Sequence, residues 1–260
     1  MATLREIQLE ELKMLKLLDK YCQEYNLKYF MVGGTMLGAI RHNGFIPWDD
    51  DIDVCMPYKD FKILQRNFQS SEYFLQSPES DIQTPFIVYK IRKNNSYMHE
   101  PGTEGLNIHQ GIWLDIFVYF DAAKTNYGRK SQIILSQILQ TYRCRYRYVK
   151  KQNRRLIHYL LTKLPNIVQL YIDKLILFLI SLLGNQKSLD NFALPVEAKY
   201  YFLEKKYSDE LTQYNFESCN IVGIKNYDSY LKRNYGNDYM IPKQWNHLGN
   251  YESVIINIKN

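Results

Sequence analysis

Four carboxylates in five positions, Asp49-Asp50-Asp51-Ile52-Asp53, follow directly on the apolar Phe45-Ile46-Pro47-Trp48 and run into Val54. This run restricts the fold more than any other stretch, because like charges at such density must be solvated or held by a cation. Taken as a strand, whose side chains alternate, it sets Asp49, Asp51 and Asp53 on one face and Asp50 and Ile52 on the other. All-oxygen ligands of that kind suit Mg²⁺ or Mn²⁺. Two plainer readings compete: a solvated acidic turn, and a calcium loop with Asp49, Asp51, Asp53 and Asp60 at its first, third, fifth and twelfth positions. The calcium loop fails in detail. Its sixth position should be Gly and is Val54, its twelfth is usually Glu, and Pro47 spoils the incoming helix.

Upstream, Tyr29-Phe30-Met31-Val32 is a short apolar run that fits a buried strand, broken at Gly33-Gly34-Thr35. A helix is predicted to start there, with Met36, Leu37, Ala39 and Ile40 inside it, Arg41 and His42 in its last turn, and Asn43-Gly44 ending it. Strand, glycine turn and helix N-terminus together expose backbone N–H groups that suit a phosphate. The glycines are equally open to a purely steric reading, as a strand-to-helix turn often needs them.

Farther on, Phe86–Ile91 is a predicted strand carrying Lys90, with Arg92 just after it; either could meet a phosphate or lie on a solvated edge. Asp115 is the lone charge in the apolar run Trp113–Phe120. Burying it is costly unless it is paired, caps backbone or binds a metal.

The stretch GGTMLGAIRHNGFIPWDDDIDV resembles the signature of the LicD/fukutin family of phosphotransferases, which have a nucleotidyltransferase-like fold. Gly111-Ile112-Trp113-Leu114-Asp115-Ile116-Phe117 is similar to that family's apolar strand with one aspartate. Tyr227–Tyr239 (YDSYLKRNYGNDY), with Met240, Ile241, Pro242 and His247, is similar to its C-terminal block. The resemblance implies that Asp51, Asp53 and Asp115 are both catalytic and the ligands of one or two Mg²⁺ (or Mn²⁺). It further implies that Gly33, Gly34 and Thr35 cradle phosphate, while Arg41, His42, Lys90 and His247 meet the remaining negative charge. The implied reaction takes phosphocholine first, glycerol- or ribitol-phosphate next, from a CDP conjugate to a sugar hydroxyl of a glycan or lipid-linked oligosaccharide. Two departures stand out. Lys243-Gln244-Trp245-Asn246 replaces the family's usual Arg before His247, and Val118-Tyr119-Phe120-Asp121 replaces its Pro-Leu-Asp.

The fold expected is α+β: a nucleotidyltransferase-like mixed sheet flanked by helices, with a mainly helical insertion and C-terminal half. One domain over residues 1–260 is predicted, with its core in 1–125, a basic and apolar helical segment in 126–190, and the C-terminal motif region in 191–260. Helices are expected over 4–25, 58–68, 194–206 and 227–235, a loop over 70–85, another over 99–111 that could close on substrate, and an extended segment over 216–224. The N-terminus, MATLREIQLEELK, is charged almost at once, so no secretory signal is read and a cytoplasmic location is expected. Cys22, Cys55, Cys144 and Cys219 are scattered, without zinc or redox spacing.

Between Ala122 and Ile172 there are eleven Lys and Arg and no Asp or Glu; the rest of the chain has 22 basic against 27 acidic residues. Such a block suits an anionic surface. Leu164–Leu183 follows it, and a membrane span is not assigned, because Asn166, Gln169, Asp173 and Lys174 interrupt it. Peripheral contact with the inner face of the cell membrane and packing as a core hairpin are both compatible with it. RNA binding, with Tyr142, Tyr146 and Tyr148 among the arginines, is a further use, disfavoured by the motif resemblance. The rival functions are a metal-dependent nucleotide-sugar glycosyltransferase and a non-catalytic membrane adaptor on the same fold.

Overall fold

The computed structural model describes residues 2–147, 156–194, 202–242 and 255–256. Helix α1, Leu4–Glu24, opens with Thr3 and Glu6 satisfying each other's backbone N–H groups. It buries a stripe of Ile7, Met14, Leu15, Leu18 and Cys22. The short strand β1, Phe30–Met31, then leads into α2, Gly33–His42, which Asn43 ends in the left-handed conformation. Strand β2, Asp53–Pro57, helix α3, Tyr58–Asn67, and strands β3, Tyr73–Gln76, β4, Tyr89–Lys93, and β5, Ser96–Tyr97, follow. Strand β6, Trp113–Asp121, is the long central one.

Helices α4, Asn126–Arg143, α5, Leu156–Thr162, and α6, Asn166–Leu183, come next. The chain then returns to the sheet through β7, Asp190–Ala193, and β8, Phe202–Glu204, the short α7, Lys206–Asp209, and the hairpin β9, Leu211–Phe216, and β10, Cys219–Ile224. Helix α8, Tyr227–Tyr235, follows, and β11, Ile255–Ile256, pairs with β5.

Nine strands form one mixed sheet in the order β3-β4-β6-β2-β1-β10-β9, with β7 on β6 and β8 on β7. The α+β expectation holds: β2 runs parallel to β6 and β1 to β10, while the other pairs are antiparallel. Several local expectations do not hold. The predicted loop at 70–85 contains β3, because Tyr73 and Leu75 are buried when that segment pairs with β4. Within 194–206 the described residues 202–204 form strand rather than helix, since Phe202 and Leu203 extend the sheet beside β7, and helix begins only at Lys206. The sheet also draws on residues well beyond 125: β10 is the parallel neighbour of β1.

The helical segment packs as a hairpin. Arg143 of α4 is bidentate to Asp173 of α6 at 2.7 and 2.9 Å, and reaches the Ile87 carbonyl at 2.9 Å and the Tyr89 hydroxyl at 3.0 Å. Arg145 is likewise buried, on Gln169 and the Tyr142 carbonyl. Arg129, another of the eleven cations of the basic block, pairs with Asp190 at 2.7 Å and donates to the Ala123 carbonyl at 3.0 Å, so part of that charge is used internally. Arg154, Arg155, Lys150, Lys151 and Tyr148 lie outside the described residues.

Candidate active site

Strand register builds the centre of the site. Parallel pairing of β2 with β6 sets Asp53 opposite Asp115, and antiparallel β4 sets Lys90 opposite Asp115 on the other side. Asp51 lies just before β2, in a non-strand segment stitched to its neighbours: Asp115 N–H donates to the Ile52 carbonyl at 2.8 Å, and Gln8 of α1 donates to the Asp49 carbonyl at 2.9 Å. Asp49 and Asp51 therefore owe their convergence to a turn, not to the alternation expected of a strand. Carboxylate oxygens of Asp51, Asp53 and Asp115 come within 4.8 Å of one another, and so do those of Asp49, Asp50 and Asp51. Asp51 belongs to both trios.

The glycine pair has a steric occupant. A Cβ on Gly33 would lie 2.7 Å from Asp53 Oδ2, and one on Gly34 would lie 2.6 Å from Asp49 Oδ2. Gly33 also has φ +56°, a region that favours glycine. Two carboxylates thus rest directly on the first turn of α2, where the helix dipole favours negative charge. The Gly33 N–H donates to the Tyr230 hydroxyl at 3.0 Å, and the buried Thr35 hydroxyl accepts the Asp53 N–H at 2.7 Å. The structure gives these phosphate candidates intramolecular partners that hold Asp53 in place.

Lys90 has a similar task. It is 2% exposed, lies 2.7 Å from Asp115 Oδ1 and 3.3 Å from Glu100, and sits over the rings of Phe86 and Trp113. Arg92 holds the other oxygen of Glu100 at 2.8 Å. Burial works against ionised Glu100, but Lys90 and Arg92 keep its carboxyl below the usual range. Arg41 donates to the Tyr239 carbonyl and to His42 Nε2, both at 2.9 Å. His247 lies outside the described residues.

Negative charge outweighs its partners here. Burial, then Asp53, pushes Asp51 well above the usual carboxylate range; burial, then Asp115, does the same to Asp53. Burial raises Asp115, with Lys90 opposing, and burial together with Asp50 lifts Asp49 to about 6. Behind the run lies Glu11, fully buried, with neither carboxylate oxygen hydrogen-bonded among the described residues. Burial raises it first, then Asp51, Asp50, Asp49 and Asp115. Glu11 was missed in the sequence, although it falls on the apolar stripe of α1, four residues after Ile7. An orphaned buried acid beside oxygen-only trios fits a hard divalent cation.

Each raised carboxyl binds its proton more tightly in the folded chain than in the unfolded one. With divalent ions chelated, these groups make stability fall as pH rises from about 4 toward and past the Asp49 value of about 6. A cation binds the ionised forms, so its stabilising effect grows over the same interval. The Tm difference between Mg²⁺ and chelator is expected to be at least about twice as wide at pH 7.5 as at pH 5. His109, pushed down to about 4 by burial, tilts both curves alike and cancels in the difference. An equal difference at both pH values would mean that these carboxylates do not hold the ion.

Two cavities meet at the carboxylates. One, of about 530 Å³, lies on the α2 side and is lined by Trp48, Asp49, Asp50, Tyr235 and Tyr239, among others. The second, of about 490 Å³, is lined by Asp115, Phe117, Phe202, Tyr230 and Arg233, among others. Asp51, Asp53 and Tyr235 border both.

The model of the LicD/FKTN/FKRP nucleotidyltransferase domain matches residues 26–166. Over 258 residues, covering 92% of this chain and 91% of the other, the chain is 28% identical to the lipopolysaccharide cholinephosphotransferase LicD of Haemophilus influenzae. An uncharacterized protein of Rickettsia prowazekii is 49% identical over 41 residues, 16% of this chain and 15% of that one. One of Rickettsia typhi is 51% identical over 35 residues, 14% of this chain and 11% of that one.

Proposed function

The chain belongs to the LicD/FKTN/FKRP nucleotidyltransferase-domain family, and from that premise we propose a phosphotransferase that moves phosphocholine from a CDP conjugate to a sugar hydroxyl of a surface glycan precursor. Glycerol- and ribitol-phosphate are the next groups in order. The Haemophilus relative is a lipopolysaccharide cholinephosphotransferase by name, which supports the group transferred and the glycan acceptor. The observation that carries the reading is the parallel register of Asp53 with Asp115, completed by Asp51.

In this proposal Asp51, Asp53 and Asp115 would hold Mg²⁺, which would supply positive charge for the donor diphosphate. Asp115 accepts the proton of the acceptor hydroxyl while that oxygen bonds to the phosphorus of phosphocholine and the bond to the bridging oxygen breaks, releasing CMP. Lys90 fixes the orientation of Asp115 through Oδ1. Gly33, Gly34 and Thr35 seat Asp53 and Asp49 against α2, so their share in phosphate binding is indirect.

A membrane location accompanies the reading. Helix α6 is long and apolar enough to cross a bilayer, but one side of it, with Gln169, Asp173, Ile176, Leu177 and Ile180, is buried in the protein. Its outer side presents Ile167, Val168, Tyr171, Leu175, Phe178 and Leu182, each between 39% and 67% exposed. Exposed Lys124, Lys130, Lys163 and Lys174 belong to the same helical segment. An apolar stripe with lysines and almost no ionised acid suits the surface of an anionic bilayer.

The test is CMP release from CDP-choline, CDP-glycerol and CDP-ribitol with a glycan acceptor, beside thermal shifts with the same donors and UDP-glucose. Mg²⁺-dependent release from one CDP conjugate supports the reading; stabilisation by UDP-glucose alone would move the chain to the glycosyltransferases. In flotation with phosphatidylglycerol vesicles, Phe178→Ser with Leu182→Ser is expected to lose most of the bound fraction. Equal flotation of variant and wild type would rule out that face.

A further inference from the structure

Lys90 brings a full positive charge against the trio of Asp51, Asp53 and Asp115. Its ammonium is 2.7 Å from Asp115 Oδ1, and its field reaches Asp53 as well. The contact orients Asp115, but it also opposes a metal ion, because a cation already on a ligand oxygen weakens the potential that would hold another. The rings of Phe86 and Trp113, with centroids 4.8 and 4.6 Å from the ammonium, close it off from water that would screen it. A metal site can keep such a lysine only if its charge is offset close by.

Glu100 supplies the offset. Its Oε1 lies 3.3 Å from the Lys90 ammonium, so the lysine sits between two carboxylates. Its Oε2 accepts from Arg92 at 2.8 Å. Arg92 is fully buried and gives its other donors to Gln76 Oε1 at 2.6 Å and the Gly111 carbonyl at 2.9 Å. It therefore fastens the stretch 100–111 at both ends, by a side chain at the first and by backbone at the last. Within that stretch the buried Thr103 hydroxyl donates to the Glu100 carbonyl at 2.6 Å. Glu100 is thus fixed on Lys90. Other charged groups meet Arg92 rather than Lys90: Asp81, which accepts from Gln76 and the His109 N–H, faces it, and Arg147 reaches the Phe86 ring at 5.1 Å. His109, pushed down to about 4 by burial with Arg92 adding, is neutral near pH 7. Burial raises the Asp115 carboxyl, Lys90 draws it back down, and Glu100 opposes Lys90.

We propose that Glu100 is a positioning residue of the metal site: by sharing Lys90 with Asp115 it lets the lysine orient that ligand without cancelling its charge, and so sets the affinity of the trio for a divalent ion. The proposal rests on the reading of Asp51, Asp53 and Asp115 as metal ligands. Groups that hold a ligand in place from outside commonly change metal affinity by about ten- to a hundredfold when they are altered.

The experiment is a calorimetric titration of the full chain with Mn²⁺ alone at pH 7.5, beside thermal unfolding without metal. Asp49, Asp50 and Asp51 form a second oxygen trio that can also take Mn²⁺, so the affinity compared is that of the site which Asp115→Asn removes. Glu100→Gln keeps the shape and an oxygen for Arg92 but leaves the charge of Lys90 to the trio; its affinity is expected to be about tenfold lower than that of the wild type. Glu100→Asp keeps the charge and draws it back by one methylene, and is expected to fall between, about threefold below the wild type. It leaves both buried cations with an anion and carries the test if the Gln variant does not fold. Thr103→Val removes the hydroxyl that ties the loop to Glu100, alters no charge, and is expected to bind Mn²⁺ as the wild type does. Wild-type affinity in Glu100→Gln or in Glu100→Asp would overturn the proposal. An equal loss in Thr103→Val would do the same, by assigning the effect to the loop and not to the charge. Absence of Mn²⁺ binding by the wild type would instead remove the metal reading of the trio, and the role of Glu100 with it.

Discussion

Asp53→Asn is expected to cost about a thousandfold or more in turnover while leaving the melting temperature in chelator unchanged or higher. The two halves of that expectation have one cause. Asp53 is half-buried, and burial first, then the nearby carboxylates of Asp115 and Asp49, raises its carboxyl well above the usual range. An isosteric amide removes one of the mutually repelling charges and keeps the backbone N–H that the Thr35 hydroxyl accepts. The fold loses nothing by it. What is lost is one anionic ligand from a trio that has only three, and with it the stabilisation of charge on a transferring phosphoryl group. The Mg²⁺-induced rise in Tm should shrink in the same variant. Parallel CMP-release assays and thermal unfolding, each with Mg²⁺ and with chelator, separate these effects. A variant keeping more than about a tenth of wild-type turnover would remove Asp53 from the metal site.

Much of this arrangement was legible before any coordinates. Glycine punctuation after Val32 and helical spacing from Met36 to Ile40 located α2, and a solitary aspartate in the apolar run of β6 marked Asp115 as a residue needing a partner. What escaped the sequence was set by contacts between distant segments. Lys90 and Asp115 are 25 positions apart, and only the β4–β6 register makes them partners rather than a phosphate candidate and a separate metal-ligand candidate. Gly33 and Gly34 read equally well as a phosphate loop and as a steric necessity until Asp53 and Asp49 are seen resting on them. Strand β8 escaped because three residues pairing at the margin of a sheet leave no periodic trace. In the basic block, charge counting could not separate Arg143 and Arg145, sealed in the hairpin, from the lysines at its surface.

Arg143 is also where the largest loss of stability is expected. Asp173→Ala should cost about 3–5 kcal/mol, lowering the urea midpoint with little change in slope, because it strands a guanidinium in the interior. The side chains of Arg143 and Asp173 are 1% and 5% exposed. Without the carboxylate, Arg143 keeps the Ile87 carbonyl, the Tyr89 hydroxyl and the Tyr89 ring, which leave its charge uncompensated. It cannot escape by losing its proton, since guanidinium stays charged. Replacing both partners by apolar residues, Arg143→Met with Asp173→Leu, should recover most of the loss, as the desolvation penalty disappears along with the attraction. The pair also bears on the active site. Ile87 and Tyr89 flank the entry to β4, and the next residue, Lys90, holds Asp115. The single variant, assayed where it is still folded, should therefore show reduced kcat that the double variant restores only if Tyr89 returns to its place. A loss below about 1 kcal/mol for Asp173→Ala would mean that water reaches the pair and that the hairpin is not locked to the sheet through it.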